Sequence, residues 1–218
     1  MAMVSNEDGS QKWTWTLGPA RLFTVSSLRS HIDNIILPCS DGNWMWNPLV
    51  SGKLNILAWR ACKGRLPSMD NLFKYGISSS NWCKMCNAAP ESTDHIFVGC
   101  VVSREVWLQV CKWWRLLDCS YNSCRELLDC KLKIGGHQRL LMIHEAIMLV
   151  FMWVIWSYRN VKAHGSNAKS HTMLASEVQA LSHLWINARK RRGQNICWNE
   201  WCSDPVQEPM SVVFFLSC

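Results

Sequence analysis

The run Cys83-Lys-Met-Cys86-Asn-Ala-Ala-Pro-Glu-Ser-Thr-Asp-His95-Ile-Phe-Val-Gly-Cys100 sets the architecture of this chain. Three thiols and one imidazole fall within eighteen residues, as a Cys-x2-Cys pair and a His-x4-Cys pair joined by a short polar loop. A Cys₃His set suits tetrahedral zinc, and four protein ligands close the shell, which marks a structural site rather than a catalytic one. The thiols must lose their protons to bind, so metal binding and folding are coupled. The spacing predicts one structural Zn²⁺ on Cys83, Cys86, His95 and Cys100. The same residues also read as buried thiols, because free cysteine is among the most buried residue types and the chain has 12.

Outward from this segment the pattern is helical. Leu54, Leu57, Ala58, Ala61 and Cys62 recur at helical spacing and predict a helix over 53–64. Ser68 caps a second helix that Gly76 ends. Further helices are expected over 102–117, 123–128, 140–159 and 171–189. The one at 140–159 is apolar nearly all round and belongs at the centre of a core. Its apolar run, Ile147 to Trp156, is too short for a bilayer, which takes roughly 20 residues. No membrane association is expected. Trp13 to Val25 alternates aromatic and polar residues around Gly18-Pro19 and predicts a minor N-terminal β-hairpin after a mobile tail of 1–12. Ser26 or Ser27 caps a helix through Leu28 and Ile35, which Pro38 to Gly42 breaks. Trp198 to Cys218 reads as irregular. The expected fold class is mainly α. A small helical zinc-binding module over 13–118 is followed by a C-terminal helical region over 121–205 and a tail over 206–218.

Composition agrees with a packed core: 49% of residues are hydrophobic and 18% charged, which is globular rather than disordered. The formal charge is +7, from 23 Lys+Arg against 16 Asp+Glu, and admits a polyanionic partner. The start, Met1 to Trp13, is polar with no apolar leader, and the other cysteines form no regular framework. These features predict an intracellular, reducing compartment and disfavour a disulfide scaffold.

Taken together, several stretches resemble the reverse-transcriptase zinc-binding domain of plant LINE-type (non-LTR) retroelements. They are Phe23-Thr-Val-Ser-Ser-Leu28, Trp46-Asn-Pro-Leu-Val50, Lys53-Leu-Asn-Ile-Leu-Ala-Trp-Arg60 and Gly64-Arg-Leu-Pro67. Asn71-Leu72, Cys83-x2-Cys86, Glu91-x3-His95-Ile-Phe97, Cys100 and Trp107 continue the series, which covers roughly 13–115. Trp153-x2-Trp156-x2-Arg159-Asn160 and Trp198-x2-Trp201-x3-Pro205 are similar to the segment that often follows this domain. The resemblance implies zinc ligands at Cys83, Cys86, His95 and Cys100. It also implies a polymerase domain upstream in full-length relatives, with template RNA or target DNA close by. Polymerisation needs carboxylates on two metal ions, usually including an Asp-Asp pair, and no two Asp are adjacent here. The expectation is a non-enzyme, with no catalytic residue and no small-molecule substrate. Met1 lies almost directly before the domain, which suggests a truncated element or a short derived gene.

Two basic clusters are candidates for nucleic-acid contact: Arg60, Lys63 and Arg65, and the run Arg189, Lys190, Arg191 and Arg192. Cations on phosphates give binding whose log affinity falls with log salt. The other reading is compensation of helix C-terminal dipoles. The run of four also matches a nuclear localisation signal. Trp82, beside the metal segment, is the candidate for stacking on bases. Trp59, Trp107, Trp153, Trp156 and Trp185 read as core by their helical spacing. Within 83–100 the charges are Lys84, Glu91 and Asp94, so the loop reads as locally acidic and as a clamp between helices. Two functions follow. One is a non-catalytic zinc-binding module derived from a retroelement reverse transcriptase, with RNA or DNA as partner. The alternative is a structural or protein-interaction remnant in which zinc only stabilises the fold.

Overall fold

The structure, a computed structural model, describes residues 2–5, 11–16, 23–28, 46–116, 120–129, 138–165, 170–189, 195–203 and 205. The chain divides into two compact units, Met1–Met45 and Trp46–Cys218.

In the first unit, β1 (Ala2–Ser5) pairs antiparallel with β2 (Gln11–Thr14), Ala2 opposite Thr14. The hairpin expected over 13–25 is not supported. Trp13 and Thr14 pair backwards onto β1, and residues 25–28 are helical. The helical start is set by reciprocal side-chain bonds: Thr24 N donates to Ser27 Oγ at 3.3 Å, and Ser27 N donates to Thr24 Oγ1 at 3.0 Å. The cap is therefore Thr24, not Ser26 or Ser27. The Gly18-Pro19 turn and the rest of the expected helix through Ile35 lie outside the described residues.

The second unit is helical: α1 (Gly52–Cys62), α2 (Met69–Lys74), a π-helical turn (His95–Gly99), α3 (Val101–Trp114), α4 (Cys124–Asp129), α5 (Gln138–Ala163), a 3₁₀ turn (His171–Met173), α6 (Leu174–Arg189) and α7 (Trp198–Ser203). Ser68 caps α2 by accepting from Asn71 N at 3.3 Å, as its sequence position predicts. α5 packs against α6, α1, the π-turn and α4. It is long and apolar enough to cross a membrane, contrary to the estimate from its apolar run alone, yet 67% of its most apolar stretch is buried within the protein. Val106, Val110 and Trp114 form the buried stripe of α3, and Trp107 meets Phe151 of α5 at 5.0 Å between ring centroids.

Two asparagines explain the Trp46-Asn-Pro and Lys53-Leu-Asn patterns. Asn47 N donates to Asn55 Oδ1 at 2.9 Å, and Asn55 Nδ2 returns to Asn47 O at 3.1 Å. Asn47 Nδ2 then reaches Met142 O and Glu145 Oε2 on α5. Both amides are buried, so these bonds keep their polar atoms satisfied while tying α1 to α5. The segment from Trp198, expected to be irregular, begins with α7. Its Trp201 is fully buried, packs edge-to-face on Trp113 at 5.3 Å and donates from Nε1 to Gln179 O at 3.0 Å. Cys111 of α3 is disulfide-bonded, although the sequence reading disfavoured a disulfide scaffold.

His144 of α5 is buried beside Trp114, and among the described residues neither ring nitrogen has a hydrogen-bond partner. Burial pushes its pKa down to about 4. The folded value lies below the unfolded one, so the folded state binds fewer protons between about pH 6.5 and about pH 4, and stability falls as pH drops through that window. His144→Phe should therefore gain stability over wild type by up to roughly 3 kcal/mol as the pH is lowered. Denaturant melts at about pH 7 and about pH 5 check this; parallel pH dependences would contradict it.

Candidate metal centre

The first ligand pair sits on a tight knuckle. Cys83 N donates to Ala89 O at 2.9 Å and Asn87 N to Cys83 O at 3.0 Å. Asn87 takes the left-handed conformation at φ 52°, which asparagine adopts more readily than most residues. The turn aims amides at the sulfurs: Met85 N lies 3.4 Å from Cys83 Sγ, and Ala88 N lies 3.5 Å from Cys86 Sγ. An isolated bridge between Trp82 and Pro90 closes the base of the loop.

The second pair depends on the π-turn. In an α-helix, residues five apart point about 140° apart, so His95 and Cys100 would diverge. The wider turn, with Cys100 N bonded to His95 O at 2.6 Å, brings them back toward one face. Ser92 starts the segment, its Oγ accepting from His95 N at 3.0 Å. Ile96 and Phe97 are buried on the inner side. Cys100 then stands at the N-terminus of α3, where the helix dipole favours a thiolate.

Four ligand atoms, one from each of Cys83, Cys86, His95 and Cys100, lie within 4.8 Å of one another. Cys83 Sγ is 4.0 Å from Cys100 Sγ, and Cys86 Sγ is 3.4 Å from His95 Nε2. A tetrahedral zinc with its usual bond lengths sets S···S near about 3.8 Å and S···N near about 3.5 Å. The donor set and spacing fit that ion. Protonation is consistent as well. Burial holds His95 below its ordinary pKa, so the imidazole is neutral and free to ligate. The hydrogen bond from Cys83, assisted by the Ser103 and Val102 amides, lowers Cys100, while Cys83 is raised.

Glu91 holds this centre to the helices around it. Its carboxylate is fully buried and accepts from Met69 N at 2.8 Å, Lys84 N at 3.1 Å and Arg159 Nε at 2.9 Å, with a second bond from Arg159 Nη2. Its charge is paired, which corrects the reading of the loop as locally acidic. Asp94 Oδ1 accepts from Cys124 N at 2.7 Å, fixing α4 to the π-turn. In the sequence Glu91 and Arg159 stand only as separate motif positions. Their 68-residue separation left no local signal of the bond.

Gly99 lies against the imidazole: a Cβ there would stand 3.3 Å from His95 Nδ1. Gly99→Ala should therefore press on a ligand that cannot swing away, and weaken metal retention by about tenfold. Competition with a chromogenic chelator measures this, and an unchanged affinity would contradict it.

The nucleic-acid candidates are distributed over the surface. Arg60 is exposed at the end of α1 and donates from Nη2 to Arg65 O at 3.0 Å. Lys63 is the C-cap of α1, and Arg65 is exposed in the turn that follows. Trp82 is half-exposed beside the knuckle. Arg189 ends α6 with its guanidinium 4.5 Å from the Trp185 ring centroid. Lys190, Arg191 and Arg192 lie outside the described residues. Trp107 is buried as expected, but Trp59, Trp153, Trp156 and Trp185 are only partly so.

Residues 23–107 match the family model described as zinc-binding in reverse transcriptase. No curated protein and no solved structure matches the chain. The match spans all four ligands and supports a reverse-transcriptase zinc-binding domain in this part of the chain.

Proposed function

We propose that this chain is a non-catalytic module derived from a retroelement reverse transcriptase of the LINE type, stabilised by one zinc ion and binding RNA or DNA. The observation that carries the reading is the convergence of Cys83, Cys86, His95 and Cys100 on one point inside the matched segment. When bound, zinc would neutralise thiolate charge and cross-link the knuckle to the π-turn. The protein's own groups do the rest. Amides face Cys83 and Cys86, and Glu91 ties the knuckle to α2 and α5. The basic balance of +7 supplies attraction to phosphates, and a nuclear location fits the run beginning at Arg189.

Binding of a labelled single-stranded oligonucleotide at increasing salt tests the nucleic-acid part. Log affinity is expected to fall linearly with log salt. Absent or salt-insensitive binding would overturn it.

A second reading has its own support. Phe73, Tyr75, Ile77 and Trp82 expose large apolar surface around the end of α2 and the knuckle, with Tyr75 79% and Ile77 72% accessible. Such surface suits a protein partner, for which a polymerase domain of full-length relatives is one candidate. Light scattering with such a domain added would show a complex under this reading and none under the first.

A further inference from the structure

We propose that the groove between α1 and the C-terminal half of α5 is the site that takes single-stranded nucleic acid, a strip of indoles set among cations. This rests on the nucleic-acid reading above and gives it a place. The groove encloses about 580 Å³ and is walled by Lys53 and Arg60 on one side and by Trp153, Trp156, Asn160 and His164 on the other. Among the described residues lining it there is no Asp or Glu.

The sequence places these groups together. Trp153, Trp156 and Asn160 follow one another at steps of three and four along α5 and so share a face, and Lys53 and Arg60 share a face of α1 seven residues apart. Both tryptophans are only partly buried, although the residues between them, Val154 and Ile155, are wholly inside. Lys53 Nζ lies 4.6 Å from the Trp153 ring centroid and 6.0 Å from that of Trp185 on α6. Arg189 in turn covers Trp185. Alternating rings and cations thus run from α5 across to α6. They link Lys53 on α1 to Arg189 at the end of α6. Arg159 lies 5.1 Å over Trp156, but its charge is paired with Glu91. It backs that ring rather than meeting a ligand.

The chemistry selects the occupant. Phosphates would draw the cations, and unpaired bases have flat faces that stack on indoles regardless of sequence. A duplex hides those faces within its own stack, and an acidic peptide would use the cations and leave the rings idle. A base arriving on Trp153 would displace the Lys53 ammonium toward a phosphate.

The test uses the full zinc-loaded chain with oligo(dT), oligo(rU) and a duplex of equal length, followed by fluorescence anisotropy across a salt series. Single strands should bind more tightly than duplex. Lys53→Gln with Arg60→Gln, both exposed positions, should reduce the steepness of log affinity against log salt by roughly 1.4. Trp153→Leu should weaken binding about tenfold or more. Lys112→Gln, an exposed cation on α3 outside the groove, should leave the slope unchanged. Melting curves and zinc content establish that each variant is folded, and if Trp153→Leu is not, the Lys53/Arg60 pair decides. No binding by wild type to any oligonucleotide overturns the nucleic-acid reading and the groove with it. Binding that keeps its strength and slope in the groove variants, or that prefers duplex, overturns the groove alone.

Discussion

Glu91→Ala is expected to destabilise the chain by about 3–5 kcal/mol, the usual consequence of removing one partner from a buried ion pair. The carboxylate is 0% accessible and the Arg159 side chain 4%. Removing it leaves the guanidinium buried without its counter-charge. It also orphans the Met69 and Lys84 amides, whose acceptor it is. Among the described residues, Trp156 and Asn160 still contact Arg159, and neither carries a negative charge. For a chain of this size the loss corresponds to a melting point lower by on the order of 10 °C. Arg159→Met alone should cost a similar amount by stranding the carboxylate. The double variant Glu91→Ala/Arg159→Met removes both charges together and should lose much less than the sum of the two single changes. Thermal melts of the three variants settle the point, and strictly additive losses would show that the two side chains do not act as a pair.

Removing zinc should have an effect of comparable size. A ligand present at a thousandfold its dissociation constant adds about 4 kcal/mol to folding, so a strong chelator is expected to lower the melting point by on the order of 10 °C. The helical core of α3, α5 and α6 does not contain the ligands except where Cys100 begins α3, so the loss should concentrate in the knuckle and π-turn. Hydrogen exchange should show Asn87, Ile96 and Cys100 amides losing protection first. Acid acts in the same direction as the chelator. Bound thiolates and imidazole compete with protons, so zinc is held at neutral pH and released as pH falls. Because His95 lies below its ordinary value, its imidazole withstands acid longer than a free histidine would. A melting curve unchanged by the chelator would mean that these thiols are simply buried.

The convergence of Cys83, Cys86, His95 and Cys100 was readable in the sequence because its signal is local: two short spacings within one loop, each with a chemical reason. The helices were readable for the same reason, since apolar stripes, Ser68 and the breaks after them act over a few residues. Long-range facts were not. Glu91 and Arg159 are 68 residues apart, and only packing of α5 against the π-turn turns two motif letters into one ion pair. Spacing along α5 could not tell which tryptophans face inward, because that helix is apolar on nearly every side. Val154 and Ile155 went inside, while Trp153 and Trp156 stayed partly exposed against Lys53 and Arg159. Trp201 sits in a polar stretch with no periodicity, yet it is fully buried because α3 and α6 offer Trp113, Trp114 and the Gln179 carbonyl around it. The hairpin expected over 13–25 failed where the Thr24 and Ser27 side chains captured backbone amides and began a helix.

Cys83, Cys86, His95 and Cys100 are expected to hold one structural zinc. Elemental analysis of the purified chain beside a Cys83→Ser/Cys86→Ser variant tests it most directly. One zinc per wild-type chain and none in the variant is the expected result, with the variant melting at lower temperature. A folded wild-type chain that carries no zinc, even after exposure to it under reducing conditions, would mean that these four residues form no metal site.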